Sequence, residues 1–135
     1  MIYYTGSVYL DTLGDCNSGN SIGTKMFNYR NDYRIWSTCR QYDLVSWHAH
    51  YAYLISLKQN NSKLYTINTV DTKRMIGVCG FTSIDYINSN AEFSLYIDPV
   101  EQGKGYAQVA LKTLCNHGFR NLNLNRIFGE VFSTN

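Results

Sequence analysis

At 135 residues the chain has room for one core and not two, and with 44% hydrophobic against 16% charged residues it is not a disordered protein. A net charge of +2 with no stripe of Lys and Arg argues against a nucleic-acid surface. Cys16, Cys39, Cys79 and Cys115 make no CxxC pair and no Cys/His cluster, which sets a structural metal aside.

The first residues lack the basic start and apolar run of a signal peptide, and no stretch approaches the roughly 20 apolar residues of a membrane span. The expectation is a cytoplasmic protein of one domain, residues 1–135, with free thiols and neither nucleic-acid nor membrane partners. Its tyrosines, 12 in all, suit half-buried strands and pocket walls.

In chain order, Ser7 to Thr12 alternates as a strand. Gly14 to Gly23 is a Gly/Asn/Ser loop leading into a short helix that the turn-formers Asn28 to Asp32 end. A second helix follows Asp43 or Ser46, either of which can cap it, and stops near Gln59 to Ser62. Three strands come next: Leu64 to Val70, Met75 to about Asp85 after the turn Asp71 to Arg74, and Ala91 to Ile97. Gly77 and Gly80 inside the middle one signal a bulge or a close backbone approach. In the last of the three, Ala91, Phe93, Leu95 and Ile97 share one face and Glu92, Ser94 and Tyr96 the other.

Pro99 ends that strand, since proline cannot donate to a sheet ladder. Ala107, Ala110, Leu111, Leu114, Cys115 and Gly118 then recur at helical spacing, predicting an amphipathic helix of about four turns. His117, late in this helix, is expected to be exposed or to partner the helix dipole. A last strand covers Arg126 to Phe132. The order of elements is that of an α+β domain.

Between strand and helix stands Gln102-Gly103-Lys104-Gly105-Tyr106-Ala107. The first turn of a helix leaves about four N–H groups without intrahelical acceptors, and the dipole adds partial positive charge there. An anion seated at that end accepts several of them together. Gly103 and Gly105 allow unusual dihedrals and close approach, Lys104 adds a cation, and Ala107 keeps the helix start slim. The loop is neither GxxxxGK[ST] nor GxGxxG, because Gln108 stands where the third glycine would be. Taken alone, two glycines before a helix also fit a plain connection in which they serve packing.

The surroundings add a resemblance. Gln102-x-x-Gly105-x-Ala107 matches the Arg/Gln-x-x-Gly-x-Gly/Ala signature of the GNAT superfamily of acetyltransferases, placed between the fourth strand and the third helix. Flanking segments are similar to the branch holding ribosomal-protein N-terminal, polyamine and amino-sugar acetyltransferases. These are Phe27 to Asp32, Ser46 to Tyr51, Ile76 to Phe81, Ala91 to Ile97 and Phe119 to Ile127.

That resemblance implies a mixed, mostly antiparallel sheet with helices on both faces, splayed open between the fourth and fifth strands. Acetyl-CoA would be the co-substrate, with no metal. Its pantetheine arm would bond the backbone of Leu95, Tyr96 and Ile97 like an added strand, and its pyrophosphate would sit on Gln102, Gly103, Lys104, Gly105, Tyr106 and Ala107. A primary amine (a protein N-terminus, an amino sugar or another small amine) would attack the thioester directly.

Glu92 is the candidate general base, with a strand amide near Leu95 as oxyanion donor. Tyr29, His50 and Tyr86 are candidate acceptor contacts. The absence of an obvious acidic cluster places polyamines behind the other acceptors. Relatives continue past the position of Asn135 with a helix, bearing a thiolate-protonating tyrosine, and a further strand. The resemblance therefore implies that this C-terminal helix and strand are missing, with a homodimer across the exposed last strand. A CoA-binding module without turnover, and an α+β interaction domain without cofactor, are the competing readings.

Overall fold

The computed structural model describes residues 3–5, 7–12, 21–36, 46–56 and 62–129. Their contacts divide into two compact units, one holding the described residues up to 12 and from 62 to 129, the other those from 21 to 56.

The first unit is a six-stranded sheet in sequential order: β1 (Tyr3–Thr5), β2 (Val8–Thr12), β3 (Lys63–Thr69), β4 (Met75–Asp85), β5 (Asn90–Ile97) and β6 (Arg126–Phe128). Every neighbouring pair is antiparallel except β5 and β6, which are parallel. The expected strands are present within a residue or so. Strand β1 was not anticipated from the sequence; its Tyr4 pairs with Tyr9 of β2. The expected fourth strand is therefore β5, and the fifth is β6. The portion of that last strand beyond Gly129 lies outside the described residues.

Both glycines of β4 sit under close backbone neighbours. A Cβ on Gly77 would strike the Tyr96 carbonyl oxygen, and one on Gly80 would strike the Lys63 carbonyl and reach within 2.6 Å of Leu64 Cα. There is also a bulge. Ile67 pairs with Gly77 but Asn68 with Met75, which leaves Ile76 as the extra residue of β4.

Helix α4 is the last of the four helices among the described residues and runs Tyr106–Asn121. Its Ala110 and Leu114 are fully buried in one cluster with Val8, Leu10, Ile67, Phe81, Ala91 and Ile97. Phe93 and Leu95 pack against the same cluster, so the predicted apolar face of β5 is the one that meets α4. Asn123 takes a left-handed φ of 55° and returns the Leu124 N–H to the Gly118 carbonyl at 3.0 Å, closing the helix end. Two details depart from expectation. Ala107 is exposed, while Tyr106 and Val109 on either side of it pack against the core. His117 is buried, and its Nε2 lies 2.8 Å from the Tyr65 hydroxyl of β3.

The second unit holds α1 (Ser21–Arg30), α2 (Tyr33–Trp36) and α3 (Trp47–Ser56). Asp32, read as a turn-former, also starts α2: its Oδ1 accepts from the Arg34 N–H and its carbonyl from the Ile35 N–H. Ser46 is the cap of α3, its Oγ accepting from the Ala49 N–H at 3.1 Å. The alternative cap, Asp43, lies outside the described residues.

Candidate functional site: a glycine loop beside an open strand edge

The junction after β5 is built by short-range bonds. The Ile76 carbonyl accepts from the Asp98 N–H at 2.7 Å. Asp98 in turn caps the single 3-10 turn Pro99–Glu101, its Oδ1 accepting from the Val100 N–H. The Gln102 side-chain amide donates back to the Ile97 carbonyl at 3.2 Å, tying the loop to the strand end.

Gly103 and Gly105 then adopt φ of 82° and 83°, a region that costs an L side chain about 1–2 kcal/mol. Among the described residues, and leaving aside the two chain neighbours, no atom lies within 4 Å of where a Cβ would stand on either glycine. Glycines required by close packing would have close neighbours; these have open space. Gly105 caps α4 with no side-chain bond to the first turn, so the leading N–H groups of a 16-residue helix face an exposed loop. Such an end receives an anion.

Glu101 went unnoticed in the sequence. It is buried, with its carboxylate bridged by two cations: Arg74 Nη2 on Oε1 and Lys104 Nζ on Oε2, the latter at 2.9 Å. The hydrogen bond from Lys104, and then the one from Arg74, outweigh the opposing effect of burial and hold its pKa below the ordinary carboxylate value. Lys104, expected near phosphate, thus has its ammonium on Glu101 while its side chain stays half exposed. The i, i+3 spacing of Glu101 and Lys104 was a sequence signal for this pair; nothing local pointed to Arg74, which arrives through the β3–β4 turn.

Glu92, Leu95, Tyr96 and Ile97 all lie on β5. Strand β6 pairs with it only at Asn90, Ala91 and Glu92, and β5 continues from Phe93 to Ile97 beyond the last pair. Among the described residues no strand pairs with that side of Phe93–Ile97. Glu92 is half-buried on the face it shares with Ser94 and Tyr96, opposite the face that meets α4. Next to it β4 bulges, Thr82 pairing with Glu92 but Asp85 with Asn90, and Ser83 takes a left-handed φ of 53°. A bulge at such a place re-aims neighbouring side chains.

The acceptor-side candidates lie on other elements. Tyr86 is exposed in the turn between β4 and β5. Tyr29 and His50 belong to the helical unit, and both are buried. His50 has no exposed surface at all. Its Nδ1 accepts from Arg30 at 2.9 Å, Arg30 stacks on Tyr53 at 4.2 Å, and the rings of Phe27 and Trp47 lie 5.4 and 5.6 Å from its own. The sequence reading of His50 as an acceptor contact thus meets a ring that serves as a packing and hydrogen-bonding centre. Burial pushes the Cys79 and Cys115 thiols up, which fits inert packing thiols. Among the described residues no group of three His, Cys, Asp or Glu could hold a metal, and no helix is long and apolar enough to cross a membrane.

An α+β domain that joins a parallel strand pair to a left-handed glycine loop at a helix start is the arrangement of a CoA-type acyltransferase. The model of the acetyltransferase (GNAT) domain matches residues 24–135, and the chain belongs to that family. It is similar to the uncharacterized N-acetyltransferase p20 of Bacillus licheniformis, 37% identical over 73 residues, which is 54% of this chain and 41% of p20. It is also similar to the spermidine N(1)-acetyltransferase of Vibrio cholerae, 37% identical over 59 residues, 44% of this chain and 34% of that protein. The matched stretches thus span about two fifths or less of these curated relatives. A crystal structure of spermidine N-acetyltransferase from Vibrio cholerae in complex with CoA and spermine superposes with a TM-score of 0.77 at 25% identity, over 94% of this chain and 72% of that one. The fold is therefore the GNAT fold anticipated from the loop and its flanks.

Proposed function

We propose that the chain binds acetyl-CoA along the Phe93–Ile97 edge and the Gln102–Ala107 loop, and transfers the acetyl group to a primary amine. The observation that carries this is the open space before Gly103 and Gly105 at the start of α4. Both units act as one acetyltransferase domain, a reading supported by a family match that runs through both. Backbone groups of Leu95, Tyr96 and Ile97 bind the pantetheine amides, and the amides of Gln102, Gly103, Lys104, Gly105, Tyr106 and Ala107 bind the pyrophosphate.

The amine nitrogen attacks the thioester carbon, the carbonyl oxygen takes up negative charge opposite a β5 amide, and the thiolate leaves as the C–S bond breaks. The attacking nitrogen releases a proton, which Glu92 accepts directly or through water. The spermidine N-acetyltransferase of Vibrio cholerae, similar in both sequence and fold, moves polyamines ahead of protein N-termini and amino sugars as the first acceptors to try. Tyr86, exposed near the start of β5, and Tyr29 and His50, both buried in the helical unit, are the candidate acceptor contacts. Self-association through the β6 edge is a further part of the reading, and a monomer by light scattering at micromolar protein would count against it.

The test is thermal-shift titration with acetyl-CoA followed by turnover on spermidine, amino sugars and peptide N-termini. No stabilisation at saturating acetyl-CoA sinks the proposal. Stabilisation without turnover on any amine leaves a CoA-binding module. Glu92→Gln should keep acetyl-CoA binding and lose about 100-fold or more in turnover; an undiminished rate removes it as the base.

A further inference from the structure

Glu101 is a buried carboxylate whose two oxygens each hold a cation drawn from a different element, and both cations keep about half their side-chain surface in solvent. A buried ion pair is seldom retained for stability alone, because desolvation offsets most of the attraction. Here the carboxylate does something geometric. It fixes a guanidinium from the β3–β4 turn beside an ammonium from between the two loop glycines, and it leaves each with spare N–H donors. An Arg offers five donors in a planar fork and a Lys three, and one carboxylate oxygen uses only part of either set.

We propose that Glu101 is a positioning residue that holds Arg74 and Lys104 as a fixed cation pair beside the glycine loop, and that Arg74 is the residue of the pair that recognises the phosphate on the ribose of CoA, the 3′-phosphate. This rests on the reading of the loop as a pyrophosphate site. The loop amides take the pyrophosphate, and the ribose phosphate lies one sugar away from it on the ligand. Arg74 lies one carboxylate away from Lys104 in the protein. A planar guanidinium suits a phosphate face, where a bidentate contact adds orientation to charge. Lys104, bound to Glu101 within the loop, offsets the carboxylate's charge, so the cluster as a whole is a net cation turned towards solvent. The lowered pKa of Glu101 is consistent, since it keeps the carboxylate ionised wherever acetyl-CoA carries its phosphates.

The experiment is calorimetric titration of the whole chain with CoA and with 3′-dephospho-CoA, for wild type, Arg74→Ala, Arg74→Lys and Glu101→Gln. Wild type should prefer CoA by about tenfold, the scale of one charge-assisted contact. Arg74→Ala should bring the preference below about twofold, chiefly by weakening CoA and not the dephospho form. Arg74→Lys, which keeps a charge for Glu101 but loses the fork, should fall between, and it serves as the measurement if the alanine variant does not fold. Glu101→Gln should also narrow the preference, whereas a merely structural role would weaken both ligands by one factor. Equal binding of both ligands by wild type, or an unchanged preference in the Arg74 variants, overturns the subsite and leaves the pyrophosphate reading standing. Binding of neither ligand by wild type sinks both.

Discussion

The pair of Tyr65 and His117 joins β3 to the fourth turn of α4 inside the core, and removing the Tyr65 hydroxyl has a calculable outcome. Asn121 Nδ2, an amide nitrogen and hence a donor, lies 2.9 Å from His117 Nδ1, so Nδ1 accepts and the ring proton sits on Nε2, directed at the Tyr65 hydroxyl at 2.8 Å. Tyr65→Phe takes that hydroxyl away from a buried N–H, which costs about 1–3 kcal/mol. For a chain of this size that is a fall in Tm of about 4–10 °C. His117→Leu alone should cost a similar amount by removing the ring nitrogen that the hydroxyl bonds at 2.8 Å. The double variant should cost clearly less than the sum, because two apolar side chains leave neither group unsatisfied.

The same pair sets a pH dependence. Burial first, and then the Lys63 charge, lower the His117 pKa from its ordinary 6.5. The unfolded chain therefore takes up a proton that the folded chain refuses. This group's contribution is complete above about pH 6.5 and is lost as pH falls from there through the lowered folded value. Thermal melts between pH 7.5 and 5 should show wild type losing stability and the His117→Leu variant losing less; comparison of the two removes the other histidines from the result. A Tyr65→Phe variant that melts with wild type and keeps its pH slope would refute the reasoning.

Three other outcomes are expected. Gly77→Ala drives a methyl into the Tyr96 carbonyl, which as backbone of the paired strand has little room to yield, and should cost about 2 kcal/mol or more in urea unfolding together with weaker CoA binding. Gly103→Ala and Gly105→Ala each cost about 1–2 kcal/mol of backbone strain with no clash inside the protein, so both should fold while losing about tenfold or more in CoA affinity by titration; unchanged affinity would show that the open space is not ligand space. Because Glu101 has a lowered folded pKa, its contribution is present above its unfolded value near 4.5 and disappears as pH falls through the folded one. Acid unfolding of Glu101→Gln should consequently be flatter than wild type below about pH 4.5.

Much of this was written in the sequence where the physical signal is local. Alternation through Ala91 to Ile97 fixes which face of β5 meets α4, Pro99 stops the strand, and the two glycines mark the loop. The signal fails where partners are distant in the chain. His117 read as exposed because nothing nearby announces Tyr65, 52 residues upstream, as its partner. Glu101 drew no reading because Arg74, its partner from the β3–β4 turn, is brought to it only by the fold. The short α2 was invisible because four residues carry no period, and its cap, Asp32, also fits a turn. For His50, the acceptor role came from the resemblance alone, and Arg30 and the rings of Phe27, Trp47 and Tyr53 surround it.

The hydrogen bond from Asp98 to Ile76 carries a consequence for anyone transplanting or redesigning the glycine loop. Because the Ile76 carbonyl pins Asp98, the loop's point of departure depends on a residue more than twenty positions upstream, on another strand. Deleting one residue from β4 would shift the anchor of a loop whose own sequence is untouched. A graft of Asp98 to Ala107 onto a host sheet without that anchor would carry every amide of the loop yet aim them elsewhere. The minimum portable unit is thus the β4–β5 hairpin with the helix, not the glycine motif.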